Sequence, residues 1–256
     1  MSNALESISI SPDSQDITVW LFLGVAQTAQ LARLVAKRCP SGVAVVPGAP
    51  YWKTAEDGSE IQSFSYEYTH EMITSLYAKF GAPASIMAES QAAPGILMCL
   101  ARDQLDFSRS AVLLLQPLGL NAYSYKGVPD VFVEFKRRVA QNSKYQITSF
   151  LSDPFLLYNH ATLAKYTPLH ALKTKQQFSH GLTYNARPEL EAAKQRCRQV
   201  SIVMGEQDKL FPPEEIARGL TNGVQTVIIP GIPHMPLTTR KGRALLRRAF
   251  SIAREK

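Results

Sequence analysis

The stretch Ala84-Ser-Ile-Met-Ala-Glu-Ser-Gln-Ala-Ala-Pro-Gly-Ile-Leu-Met-Cys-Leu-Ala101 decides how the rest of this chain is read. Ile86, Met87 and Ala88 make a short uncharged run that reads as a buried strand. The run breaks at Glu89-Ser90-Gln91 and resumes as a helix of small and apolar residues. A serine at such a corner has its hydroxyl thrust out at the carboxyl edge of the sheet. The start of the helix beneath it brings backbone N–H groups that no helical carbonyl takes up, and these favour negative charge. Acyl chemistry at a hydroxyl needs this pairing of nucleophile and oxyanion donors. The corner also crowds two backbones together, which demands small residues two positions either side; Ala88 and Ala92 meet that demand. The competing reading is an ordinary strand–helix turn with Ser90 as its N-cap. Pro94 disfavours helical geometry at Ala93, before it.

Outward from this corner, strands and helices alternate. Ser7 to Ile10 reads as a short edge strand. Ile17–Leu23 (Ile-Thr-Val-Trp-Leu-Phe-Leu) carries no charge, as expected of a strand covered on both faces. Gly24-Val25-Ala26 turns it into a helix over Gln27–Arg38, and Gly42–Val46 is the next buried strand. A polar loop through Lys53–Ser59 leads to a helix over Tyr66–Phe80, ended by Gly81. Ser110–Gln116 is a further uncharged strand. This alternation predicts a doubly wound, mostly parallel sheet of about six to eight strands. The alternation stops at Leu118. From there to about Arg196 the chain is helical or irregular, and rich in Tyr, Phe, Lys and His, with one helix opening at Pro129. Strand sequence returns at Val200–Met204 and Val224–Ile229, separated by a helix opening at Pro212-Pro213. Residues 118–196 therefore read as a helical cap or lid inserted into one domain made of 1–117 and 197–256.

Composition bounds the function. The 256 residues are 45% hydrophobic and 19% charged, enough for a sizeable core in one domain. No apolar run reaches the ~20 residues needed to span a bilayer. The first residues lack the basic-then-apolar pattern of a signal peptide. Three scattered cysteines, Cys39, Cys99 and Cys197, point to reduced thiols and a cytoplasmic location. The net charge of +7 is spread along the chain. Its one concentration, Arg240–Arg248, lies on an amphipathic helix whose apolar side is Leu245, Leu246, Ala249, Phe250 and Ala253. A solvated helix face accounts for it, and no nucleic-acid partner is expected. His160, His170 and His180 fall outside metal-ligand spacings, so no metal is expected. His70, on a helix with Glu67 and Glu71, reads as a group titrating at the surface.

Two late loops complete the chemistry. Val203-Met-Gly-Glu206-Gln-Asp208 ends a strand in carboxylates, and Ile228-Ile-Pro-Gly-Ile-Pro-His234-Met-Pro236 ends the next in a histidine. Ala88-Glu89-Ser90-Gln91-Ala92 resembles the G-x-S-x-G nucleophile elbow of the α/β-hydrolase family, with alanine at both glycine positions. Gly205-x-x-Asp208 followed by Pro212-Pro213-Glu214, then Pro230-Gly231-x-x-His234-x-Pro236, resembles that family's acid and histidine loops, in the family's order Ser, Asp, His. The resemblance covers residues 17–117 and 198–253; the insertion is similar to the family's cap only by position.

The resemblance implies Ser90 as nucleophile, His234 as base and Asp208 as the acid that orients it, with Glu206 as the rival acid. The backbone N–H groups of Gln91 and Val25 are the implied oxyanion donors. Leu23-Gly24 stands where most relatives carry His-Gly, a departure that removes a polar side chain supporting that turn. Tyr123, Phe155 and Tyr158 are candidates for lining an apolar substrate pocket from the cap, or for joining the cap to the core. The expected activity is hydrolysis of a carboxylic ester or thioester of a small, partly apolar acyl substrate, through an acyl-enzyme and without a cofactor. C–C bond hydrolysis or acyl transfer by the same three residues stays open, as does a ligand-binding or scaffold protein that kept the fold without catalysis. A dinucleotide-binding unit fits poorly, because Gly24-Val-Ala-Gln-Thr-Ala29 lacks the second glycine of G-x-G-x-x-G. Oligomeric state has no signature in the sequence.

Overall fold

Uncharged β-branched runs can only be satisfied by a sheet covered on both faces, and that sheet positions everything else. A computed structural model describes residues 4–14, 16–24, 27–48, 66–120, 137–138, 140–142, 184–218, 220, 222–235, 237 and 239–254. Seven strands are found among them: β1 Ser9–Ile10, β2 Val19–Phe22, β3 Val43–Val46, β4 Ser85–Glu89, β5 Ala111–Leu115, β6 Gln199–Gly205 and β7 Gln225–Ile229. Their order in the sheet is β1-β3-β2-β4-β5-β6-β7. The two-residue β1 pairs antiparallel with β3, and every other pair is parallel.

The parallel strands alternate their side chains between two apolar layers, as the two-residue period requires. On one face Trp20, Phe22, Ile86, Ala88, Val112 and Leu114 pack under helices α3 (Tyr66–Phe80), α4 (Ala92–Arg102) and α5 (Arg187–Arg196). On the other, Leu21, Val43, Val45, Met87 and Leu113 pack under α2 (Ala29–Ala36) and the terminal helix, whose range is Arg240–Arg254. Trp20, Leu21, Ile86 and Met87 are wholly buried. Each such side chain contributes about 1.5–3 kcal/mol by leaving water. The terminal helix turns Leu245, Leu246, Ala249 and Phe250 into this second layer. A one-turn helix α1 (Ala4–Ser7) precedes β1, and the short helix between β6 and β7 spans Pro213–Ala217.

The connection from β2 to β3 runs to one side of the sheet, and the chain then returns past β2 to place β4 on its other side. The loops after β2 and β4 thus part at the carboxyl edge, which is where an open α/β sheet leaves a crevice for a ligand. Gly24 follows β2 and Ser90 follows β4, so the candidate corner stands at this crevice.

One local expectation is corrected. Pro94 does not break the helix after Ser90: α4 starts at Ala92, and Pro94 sits in its first turn, where a backbone N–H has no helical partner to lose. Helix α5 lies within the stretch read as an insertion, yet it buries Leu190 and Ala193 in the core layer shared with α4. Of the helix expected from Pro129, only 137–138 and 140–142 are described, and these are helical; the loop 53–59 and most of 118–183 lie outside the described residues.

Candidate active site

The corner between β4 and α4 forces Ser90 into the left-handed region, at φ 50°. That conformation is costly for a residue with a Cβ, and it persists here because both neighbours over-determine it. The Ser90 N–H donates to the Leu115 carbonyl at 2.8 Å, and the Ser90 carbonyl accepts from Leu118 N at 3.0 Å and Ala93 N at 3.2 Å. The side chain is left to point away from the helix. Gln91 rather than Ser90 stands at the N-cap position, and no side chain caps α4. The Ser90 hydroxyl instead faces His234, with Oγ 3.4 Å from Nε2. Gly24 explains how the loop after β2 comes so close. A Cβ there would lie 3.2 Å from both the Glu89 carbonyl oxygen and the Ser90 Cβ.

Asp208 and His234 arrive from the ends of β6 and β7. The loops are brought together at Gly205, where a Cβ would stand 2.0 Å from the Ile232 carbonyl oxygen. Asp208 is buried, and its two oxygens divide their work. Oδ1 accepts from Leu210 N at 2.9 Å and Phe211 N at 2.8 Å, while Oδ2 lies 2.8 Å from His234 Nδ1. A carboxylate only accepts, so the His234 proton sits on Nδ1 and leaves Nε2 as an acceptor for the Ser90 hydroxyl. Burial pushes the His234 imidazole down, but the Asp208 carboxylate and, from further off, Glu89 outweigh it and hold it above its ordinary value. Phe211 meets the imidazole edge-on, with ring centroids 5.0 Å apart. Glu206, the rival acid, lies elsewhere: its Oε2 accepts from Gly231 N at 3.0 Å on the exposed side of the loop.

Three further side chains hold this site, and each comes from a different part of the chain. Glu89, buried at the end of β4, accepts through Oε2 from Gly24 N at 3.1 Å and Gln27 Nε2 at 2.6 Å, and through Oε1 from Leu237 N at 3.3 Å. Gln116, just beyond β5 at φ 47°, donates to the Pro233 carbonyl at 2.8 Å and accepts from Met235 N at 3.4 Å, so it brackets His234. Asn142 donates to the His234 carbonyl at 3.0 Å. Nearby, Arg138 forms a two-pronged pair with Glu215, at 3.1 and 2.9 Å, over the acid loop. Sequence reasoning missed all three of the residues that bind the histidine loop or its neighbours. Glu89 and Gln116 carried one usable signal, a polar residue closing an uncharged buried strand at its carboxyl end. Asn142 carried none.

Val25, Tyr123, Phe155, Tyr158 and the histidines at 160, 170 and 180 lie outside the described residues. His70 is not merely a solvated surface group: its Nδ1 is 2.9 Å from Asp103 Oδ2, and Tyr66 donates to Asp103 Oδ1 at 2.7 Å. That cluster ties α3 to the end of α4, away from Ser90. Among the described residues, no three His, Cys, Asp or Glu side chains are grouped to hold a metal ion, and no helix is long and apolar enough to cross a membrane.

No protein family profile matches the chain, and no curated protein does. Solved structures do match. A candidate lipase from Acinetobacter baumannii is 17% identical, with a TM-score of 0.66 over 96% of this chain and 86% of that one. A bromoperoxidase from Bacillus anthracis is 14% identical, with a TM-score of 0.64 over 95% and 93%. An α/β-hydrolase fold protein from Burkholderia ambifaria is 15% identical, with a TM-score of 0.55 over 93% and 91%. Taken with the mostly parallel seven-stranded sheet and its helices on both faces, these likenesses identify the chain as having the α/β-hydrolase fold.

Proposed function

We propose that this protein is a serine hydrolase that cleaves a carboxylic ester or thioester through an acyl-enzyme. The observation that carries the proposal is the continuous line from Asp208 through His234 to a serine held at positive φ. The fold alone hosts several activities, and the chemistry lies in the site. A serine hydroxyl is a weak nucleophile near neutral pH, and His234 Nε2 is the base that takes its proton as Oγ attacks the acyl carbon. The proton then passes from Nε2 to the leaving oxygen or sulfur as its bond to the acyl carbon breaks. Water, deprotonated by the same nitrogen, attacks the acyl-serine, and the imidazolium returns that proton to Ser90 Oγ as its bond to the acyl carbon breaks and the acid is freed. Asp208 holds the imidazole in the required tautomer and stabilises the imidazolium formed in each step. The oxyanion of each tetrahedral intermediate is assigned to the backbone N–H groups of Gln91, just before α4, and Val25, next in sequence to Gly24. The aromatic residues Tyr123, Phe155 and Tyr158 of the insertion are assigned to selection of the acyl chain.

A fluorophosphonate probe tests the proposal. Ser90 Oγ attacks phosphorus, fluoride leaves, and the serine proton passes to His234. Peptide mapping is expected to find the adduct on Ser90, and Ser90→Ala is expected to abolish it. Folded wild-type protein that takes up no probe would contradict the proposal.

A further inference from the structure

Glu89 is a buried carboxylate beside the nucleophile that the reaction scheme above does not use. It is 3% exposed. Its described partners are all donors: Gly24 N and Gln27 Nε2 on Oε2, and Leu237 N on Oε1. A protonated acid would need an acceptor for its own O–H, and with the Gln27 amide nitrogen turned toward it none of these partners is one. The geometry therefore suits the ionised form, with three donors standing in for the water that burial has removed. Burial pushes the carboxyl above its ordinary value, and those donors together with the nearby His234 imidazole offset only part of that rise.

The placement of the partners matters more than their number. Gly24 begins the turn that approaches Ser90 from β2. Gln27 follows it on the way to α2. Leu237 lies three residues beyond His234 and 148 residues from Glu89. One carboxylate thus reaches both loops that flank the nucleophile. We infer that Glu89 is a positioning residue for the hydrolase: it fastens the turn after β2 and the histidine loop to the serine corner, and its negative charge joins that of Asp208 in favouring the imidazolium. The inference deepens the hydrolase reading and takes its catalytic meaning from it.

Among the described residues, the charged groups around His234 are Asp208 from the β6 loop and Glu89 from β4, with the Arg138–Glu215 pair beyond Asp208. Arg138 and Glu215 largely cancel one another, so Glu89 is the second uncompensated negative charge. Glutamine in its place would keep an oxygen for Gly24 and Gln27. Its amide nitrogen would then face Leu237 N, donor against donor, and the negative charge would be gone.

The test is a titration of the His234 imidazole by NMR in histidine-labelled protein, with its signal identified by its loss in His234→Gln. Glu89→Gln is expected to lower the midpoint by about one pH unit, the size of effect one nearby charge produces. The acid limb of Ser90 labelling by fluorophosphonate is expected to move down with it. A residue that served packing alone would alter thermal stability and leave the midpoint where it was. An unchanged midpoint in folded Glu89→Gln overturns the inference, whatever happens to the rate. If Glu89→Gln does not fold, Glu89→Asp carries the same test. Its carboxylate is drawn back from Leu237, which should lower the midpoint by a smaller amount and slow labelling, and an unchanged midpoint again overturns the inference. The titration does not require activity. Failure of the wild type to label at Ser90 would remove the hydrolase reading while the titration still decides the role of the Glu89 charge.

Discussion

Replacing Asp208 by Asn separates the chemistry of the site from its architecture. Asn is the same size and shape, and its amide oxygen can keep both bonds that Asp208 Oδ1 accepts from Leu210 N and Phe211 N. The amide nitrogen must then occupy the Oδ2 position, 2.8 Å from His234 Nδ1. It can only donate there, so Nδ1 becomes an acceptor and the imidazole proton moves to Nε2. That proton points at Ser90 Oγ, where the reaction needs a lone pair. The expected loss is about 10⁴-fold in kcat/KM, equivalent to roughly 5.5 kcal/mol of transition-state stabilisation. Stability should change little, because the backbone bonds that hold the loop survive. Hydrolysis of short p-nitrophenyl esters gives the rate, and urea denaturation gives the fold control. Glu206→Gln serves as the comparison, since Glu206 accepts from Gly231 N on the exposed side of the loop. Its expected loss is below about tenfold. Retention of activity by Asp208→Asn, or an equal loss in Glu206→Gln, would refute the assignment.

Other outcomes follow from the same structure. Gly205→Ala puts a Cβ 2.0 Å from the Ile232 carbonyl oxygen and should destabilise the fold by about 4 kcal/mol, read as a lower urea midpoint with an unchanged slope. Arg138→Met leaves Glu215 without its two-pronged partner. Glu215 keeps some contact with water, so the expected cost is about 2–3 kcal/mol, below that of a wholly buried pair. Labelling of Ser90 requires neutral His234, whose imidazole is held above its ordinary value of 6.5, so the rate should fall on the acid side with a midpoint above 6.5. The same raised group contributes stability that is fully present below the unfolded imidazole's midpoint and is lost as pH rises through the folded one, which chemical denaturation across that window will register. Tyr123→Ala, Phe155→Ala and Tyr158→Ala should each reorder preference among acyl chain lengths by about 1–3 kcal/mol in kcat/KM, with acetyl esters least affected.

Local patterns in the chain determine much of this fold. The uncharged runs at 19–22, 43–46, 85–88 and 111–115 are strands wherever they sit, because apolar side chains covered on both faces leave the backbone no better partner than a neighbouring strand. The helix Tyr66–Phe80 ends where its sequence says, at Gly81 with φ 73°, since a left-handed cap is a local demand. The order of Ser90, Asp208 and His234, each just past a strand, is likewise legible, because parallel strands carry every such loop to the same edge of the sheet. Tertiary structure alone decides the rest. Asp208 and not Glu206 meets the imidazole because Gly205 lets the β6 loop close on Ile232, and that approach is invisible in either segment alone. Glu89, Gln116 and Asn142 look like unremarkable polar residues in sequence. Their partners lie 148, 117 and 92 residues away, and a buried polar group takes its meaning from whichever donors and acceptors the fold brings to it.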